Sequence, residues 1–350
     1  MANRDILAIG TSAGGFDALR QLAGGLPANL PATVLVVIHL SAQFRSGLDE
    51  ILSRCGPLAA SFAQDGEPLR PGHIVIAPPA SHLLVDGDHV ALGQGPRENS
   101  ARPAIDPLFR SAAVCCGARA VGVVLTGTLG DGASGLQALQ QCGGHTVVQD
   151  PADAAYAEMP ANALRAVRPD HVAGLRDMPA LLARLVRQPA GAPARVPESL
   201  KYEVEVARSG PTSMSTMDRI GRRSVLACPD CNGVMWEIDE GDVVRYRCHV
   251  GHAYTSDLMS LALDESLRRA LASAARALDE RMALARKLHR QSSESGHQLL
   301  AESWARKVRE AEDEAKILHE SMRRADEIAR RHAVSQSPDE VSANRRKRAV

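Results

Sequence analysis

Short apolar runs alternate with helical periodicities through the first half of the chain. β-branched runs at 5–9, 33–39, 73–77, 121–126 and 146–149 read as strands. Helical patterns fall between them at 16–25, 46–54, 107–116 and 132–141. This alternation predicts an α/β fold, a doubly wound and mainly parallel sheet with helices on both faces, over residues 1–186. Two short runs, 83–86 and 89–92, flank Gly87-Asp88 and read as a hairpin inserted into that pattern.

The pattern then changes. Residues 187–223 open on QPAGAPARVPES, a Pro/Ala-rich stretch that reads as a linker. A segment with paired cysteines follows at 224–256. From 257 to 333 the chain becomes helical and charged. Leu267, Leu271, Ala274, Leu278, Ala285 and Leu288 keep to one heptad seam, broken by Arg281. After the turn region SSESG, the residues Leu300, Trp304, Val308, Ala311, Ala315, Leu318, Met322 and Ala325 repeat at steps of three and four. Two such stripes joined at Gly296 predict a helical hairpin or coiled coil, with self-association or a signalling partner as its use. The tail 334–350 has almost no large apolar residues and reads as disordered.

Composition adds exclusions. A chain of 350 residues is long enough for two or three units, and 45% hydrophobic residues can supply their cores. Lys+Arg and Asp+Glu both number 41, so charge balance calls for neither nucleic acid nor an acidic membrane surface. No run of 18 apolar residues marks a membrane span, and the N-terminus does not read as a signal peptide. Three of the seven cysteines cluster between 228 and 248 and four are scattered. That usage fits a reduced, cytoplasmic protein with one metal site better than a disulfide framework.

The candidate chemistry lies at strand ends. Ser12 sits in GTSAGG, directly after the first strand and before a helix, where backbone amides favour developing negative charge. The same loop type also cradles phosphates. His39 ends the second strand, at the edge where open α/β sheets build their sites. It would otherwise be a structural histidine. Asp131 follows the strand VGVVLT through GTLGDGASG, where its bland role is a turn or helix cap, and Asp150 is the competing acid. A hydroxyl, an imidazole and a carboxylate leaving one sheet edge match triad chemistry. Oxyanion donors would be backbone amides of the 12–14 turn, at Ala13, and of the 127–129 turn, at Thr128.

GTSAGG, VIHLS, RPAIDPLFRSAA, GVVLTGTLGDGASGL and VVQDPADAAYAEMP together resemble the catalytic domain of CheB-type protein-glutamate methylesterases, in order over residues 4–180. The resemblance implies that Ser12, His39 and Asp131 are nucleophile, base and orienting acid. It implies hydrolysis of γ-glutamyl methyl esters on chemoreceptor-like proteins, often with deamidation of receptor glutamines, and no cofactor for catalysis. The family commonly has methionine where this chain has Thr128, a change that spares a backbone donor. The family's N-terminal receiver domain is not expected here, because the first catalytic strand begins at residue 5. A regulatory scaffold with a residual hydrolase site is the second reading; a nucleotide-binding domain lacks the phosphate-loop pattern.

Cys228 and Cys231, spaced C-x2-C, are followed by Cys248 in RYRCHVGHAY. With His252, or with the adjacent His249, they supply four ligands for a structural Zn2+ in a zinc-ribbon-like module. Neighbouring residues on extended backbone point apart, which favours His252. Reduced thiols in a small core are the plain alternative. A redox-active CPDC would want a βαβ context that this segment lacks.

Overall fold

A computed structural model describes residues 3–39, 47–240 and 243–335. They fall into two compact units, Met1–Ser260 and Leu261–Val350.

The first unit opens with β1 (Ile6–Thr11), α1 (Gly15–Gly25), β2 (Thr33–Ile38), α2 (Leu48–Cys55), β3 (Ala59–Phe62) and β4 (His73–Ile76). The hairpin β5 (His82–Asp86) and β6 (His89–Gly93) follows, then α3 (Ile105–Cys115), β7 (Ala120–Val124), α4 (Ala133–Gln141) and β8 (His145–Gln149). The α/β part closes with α5 (Glu158–Ala166), β9 (His171–Ala173) and α6 (Met178–Leu185). Seven strands order as β3-β4-β2-β1-β7-β8-β9, and every adjacent pair is parallel. Beyond the predicted elements, the structure adds the short edge strands β3 and β9 and the helices α5 and α6.

Strands buried on both faces explain the continuous apolar runs. In β1, Ile6 and Ala8 pack into one core with α3 and α4, while Leu7 and Ile9 pack into the other with α1 and α6. The chain winds outward from β1 through β2, then returns to lay β7 on its other side. The C-terminal ends of β1 and β7 therefore flank the switch point, where such sheets open a crevice.

The segment 187–223 corrects the linker expectation. It carries α7 (Glu198–Ser209) and α8 (Met214–Ile220). Leu200, Glu203, Val206 and Ala207 of α7 are buried, a stripe at helical spacing that packs against α3. The Pro/Ala bias is real only up to Pro197. A four-stranded antiparallel sheet follows: β10 (Arg222–Ala227), β11 (Val234–Glu240), β12 (Val243–Cys248) and β13 (Ala253–Thr255). Its own small core gathers fully buried Trp236 with Met217, Ile220 and Ile238.

α9 (Ser256–Glu294) and α10 (Gln298–Ser335) follow, with Gly296 in the left-handed region at φ 72° between them. Within the second unit, Arg281 pairs with Glu314 at 2.9 Å, Arg286 with Glu312 at 2.7 Å, and His289 contacts the Ala301 carbonyl. The partners step backward as the chain steps forward, which defines an antiparallel hairpin. The predicted seam shifts at its N-terminal part: Leu267 and Leu300 are exposed, and Ala275 rather than Ala274 is buried. Ala285, Ala311 and Ala315 are buried as the periodicity requires. No helix among the described residues is long and apolar enough to cross a membrane. Val334 and Ser335 of the predicted disordered tail belong to α10, and the rest of it, from residue 336 onward, lies outside the described residues.

Candidate active site and candidate metal centre

Ser12 follows β1 in a tight turn. Its N–H donates to the Thr126 carbonyl at 3.1 Å, and its carbonyl accepts the Gly15 N–H at 2.9 Å. Gly14 caps α1 at φ 74°, a left-handed conformation that side chains resist. A Cβ there would also meet Ala155, Tyr156 and the Thr126 hydroxyl at 3.1–3.2 Å. Thr126 ties the site's loops together. Its hydroxyl donates to the Ala13 carbonyl at 3.1 Å and accepts the Tyr156 N–H at 2.8 Å.

His39 extends the β1–β2 ladder by one bond, its N–H donating to the Thr11 carbonyl at 3.4 Å. The imidazole bridges the other two residues: Nδ1 lies 3.1 Å from Ser12 Oγ and Nε2 lies 2.8 Å from Asp131 Oδ2. An ionised aspartate can only accept, so the proton is assigned to Nε2. Nδ1 then offers its lone pair to the serine hydroxyl. The three side chains are thus connected in series, with His39 partly exposed at 23% and Asp131 enclosed at 2%.

Asp131 is saturated. Oδ2 accepts from His39 and from the Ile105 N–H at 2.6 Å; Oδ1 accepts from Asn99 Nδ2 at 2.9 Å and from the Asp106 N–H at 3.2 Å. Burial alone would raise its pKa, but the His39 hydrogen bond and charge, with the Ile105 and Asn99 bonds, hold it below the ordinary aspartate value. Asp106 goes the other way. Burial and the neighbouring Asp131 push its carboxyl up to about 7, against the Gly135 N–H bond that favours its charge. Its Oδ1 accepts the Gly132 and Gly135 N–H groups at 3.0 and 2.7 Å, so a residue of α3 caps the N-terminus of α4.

The N–H groups expected to receive an oxyanion divide. Gly127 donates its N–H to the Tyr156 carbonyl at 3.1 Å and is not free, so the 127–129 turn offers fewer donors than expected. Among the described residues, the N–H groups of Ala13 and Thr128 have no protein acceptor. The loop carrying Thr128 lies against Ser12, since a Cβ on Gly127 would stand 2.9 Å from Ser12 Cβ. Leu129 next to it is held at φ 64°, its carbonyl accepting Asn162 Nδ2 at 2.7 Å.

The competing acid Asp150 instead accepts its own Ala152 N–H at 2.9 Å, a turn-capping role. His82 is buried between the Pro96 carbonyl and the Ala104 N–H. Sequence reasoning passed over Asn99 as a site residue and left Asp106 inside a motif without a role. The only signal for Asn99 was its place in a loop without hydropathic pattern.

Cys228, Cys231, Cys248 and His252 bring one ligand atom each to within 4.8 Å of one another. Cys228 Sγ lies 3.7 Å from His252 Nδ1, Cys231 Sγ 3.7 Å from Cys248 Sγ, and Cys248 Sγ 3.6 Å from His252 Nδ1. A tetrahedron of thiolates around Zn2+ has edges of roughly 3.8 Å, so these residues fit that ion. His252 turns Nε2 toward Asp230, 3.8 Å away, the side on which such a ligand is oriented. His249 is not part of the cluster among the described residues.

An open parallel sheet with a serine, a histidine and a buried aspartate linked at its C-terminal edge has the architecture of a serine hydrolase. Residues 7–182 match the model of the CheB methylesterase family, and the chain belongs to that family. It is 40% identical over 158 residues to a protein-glutamate methylesterase/protein-glutamine glutaminase of Symbiobacterium thermophilum, covering 45% of this chain and 44% of that one. A putative protein of the same name from Leptospira interrogans is 35% identical over 184 residues, covering 52% of this chain and 95% of that one. The CheB methylesterase catalytic domain of Thermotoga maritima superposes with a TM-score of 0.50 at 30% identity, over 53% of this chain and 100% of that domain. The chain thus spans about half the length of several relatives it matches.

Proposed function

We propose that this chain hydrolyses γ-glutamyl methyl esters on a chemoreceptor-like protein, with Ser12 as nucleophile, His39 as base and Asp131 as orienting acid. The observation that carries this reading is the His39 bridge, 3.1 Å to Ser12 and 2.8 Å to Asp131, at the C-terminal edge of the sheet within the stretch that matches the family. Ser12 Oγ attacks the ester carbonyl while His39 Nδ1 takes its proton. The N–H groups of Ala13 and Thr128 receive the oxyanion. His39 returns the proton to the departing methoxide, releasing methanol. Water, deprotonated by the same nitrogen, then frees the glutamate. A glutamine side chain would enter the same acyl-enzyme with ammonia as leaving group. Incubating the full chain with methylated receptor is expected to release methanol, and a fluorophosphonate adduct on Ser12 to stop it. Release that continues from fully modified protein would overturn the assignment.

Cys228, Cys231, Cys248 and His252 are proposed to hold a structural Zn2+. Four protein ligands close the coordination shell, so the ion supplies folding free energy and leaves no open position for chemistry. Protein purified without chelator is expected to contain one zinc per chain and to lose the 222–255 sheet when stripped. Metal analysis showing no zinc would remove this site. The α9–α10 hairpin is proposed as the surface for self-association or a signalling partner.

A further inference from the structure

The sheet that carries the cysteines reaches the triad through one side chain. Asn99, in the loop 94–104, lies between β13 and Asp131 and is buried at 7% exposure. It and Ser100 are both left-handed, at φ 51° and 63°, a conformation that asparagine tolerates better than most residues. From the outer side, the Ala253 carbonyl accepts the Asn99 N–H at 2.8 Å, and the Thr255 N–H donates to Asn99 Oδ1 at 3.2 Å. Toward the interior, Asn99 Nδ2 donates to Asp131 Oδ1 and to Asp106 Oδ2, both at 2.9 Å. Every polar group of the residue named here is taken.

Thr255 decides which way this amide faces. Were the amide reversed, its NH2 would meet the Thr255 N–H and its oxygen would meet the Asp131 carboxylate. The donor pointed into Asn99 Oδ1 thus forces both Asn99 protons toward Asp131 and Asp106. Asp131 Oδ1 is held by Asn99 while Oδ2 holds His39, so the asparagine sets the carboxylate plane that orients the imidazole. The neighbouring Glu98 anchors the same loop to Arg110 of α3 and, at 2.9 Å, to Arg247 of β12.

We propose that Asn99 is a positioning residue of the esterase, and that the β13 backbone at Ala253 and Thr255 holds it in place. The cysteine-bearing sheet is then a working part of the catalytic centre. This inference rests on the hydrolase reading above. It also makes order at Cys248 and His252 matter to the triad, since Ala253 directly follows His252.

Two readouts separate the proposals: kcat and KM for methanol release, and the rate at which a fluorophosphonate labels Ser12. Asn99→Ala is expected to lower kcat and the labelling rate about ten- to hundredfold, the weight of a hydrogen bond to a buried charge. KM should stay within about twofold, because nothing that touches substrate is lost. Thr255→Pro removes the N–H that Asn99 accepts. That N–H points away from β12, and β13 is an edge strand, so proline is tolerable there. Its rates are read against Thr255→Ala, which loses the same hydroxyl and keeps the N–H. Thr255→Pro should be slower than Thr255→Ala, and the double variant Asn99→Ala/Thr255→Pro no slower than Asn99→Ala alone. Thermal melting checks that each variant folds, and the Asn99→Ala arm decides the matter if Thr255→Pro does not. Wild-type rates in Asn99→Ala, a loss confined to KM, or multiplying effects in the double variant would overturn the proposal. Labelled wild type that frees no methanol sinks the substrate reading alone; unlabelled Ser12 sinks both.

Discussion

Asp131→Asn is expected to lower kcat for ester hydrolysis by about 10^4-fold with little change in KM. The reason is the donor set around this carboxylate. Both oxygens already accept two N–H groups, from His39 and Ile105 on one side and from Asn99 and Asp106 on the other. An asparagine must turn its NH2 toward one of these pairs. Facing His39, it drives the imidazole proton onto Nδ1, where it points at Ser12 and the base is lost. Facing Asn99, it sets donor against donor in a site closed to water, and the charge that balances the imidazolium is gone. Either arrangement keeps the fold and the substrate surface while disabling proton transfer. Methanol release from methylated receptor measures it, with Ser12 labelling as the substrate-independent check. A loss below about tenfold would mean that Asp131 does not orient His39.

That Ser12, His39 and Asp131 come together was legible in the sequence because each follows an apolar strand, and parallel strands buried on both faces give continuous apolar runs. Their order in the sheet was not needed: leaving the same edge was enough. Asn99 and Asp106 carried no such signal. One lies in an irregular loop, the other on a helix buried along its whole length through Ala113, so amphipathic period is absent there. Polar residues that are buried by pairing also misled the reading of 187–223. Glu203 occupies a core position of α7 and looks, by type, like solvent-facing charge. Its partners Arg245 and Arg247 lie more than forty residues away on an antiparallel strand. Hydropathy cannot see a charge that is buried because another charge is there. The cysteine–histidine cluster was legible for the opposite reason: C-x2-C and C-x3-H spacing states its geometry locally. The hairpin's frame slipped by one at Ala275 because alanine-rich helices offer several seams of nearly equal hydropathy.

Glu203→Ala is expected to destabilise the first unit by about 3–5 kcal/mol, the cost of stripping one partner from a buried ion network. Arg110, Arg245 and Arg247 are at most 2% exposed and face Glu98, Glu203 and Glu240. Arg245 forks both nitrogens onto Glu203 at 3.0 Å, and Arg247 adds a third bond at 3.0 Å. The network runs on to α4, where Ser134 donates to Glu240 at 2.9 Å. It joins α3, α7, β12 and α4: three buried guanidinium groups face the buried Glu98 and Glu203 and the partly exposed Glu240, and none of the buried charges can be left alone. Removing Glu203 leaves two guanidinium groups without their main acceptor. Linkage gives an independent signature. Burial would raise the Glu203 pKa, but Arg245, Arg247 and Arg110 overcome it and hold the carboxyl far below its ordinary value. Glu98 is lowered in the same way by Arg110 and Arg247. A depressed acid contributes stability that is present above its unfolded pKa and lost as pH falls through the acid range. Wild-type stability should therefore drop as pH is lowered below about 4.3, and the variant, already without one such group, should drop less steeply. Urea denaturation at neutral and acid pH reads both effects. A change at neutral pH under about 1 kcal/mol, the weight of an exposed pair, would show that water reaches this network and that it does not bind the cysteine-bearing sheet to the α/β core.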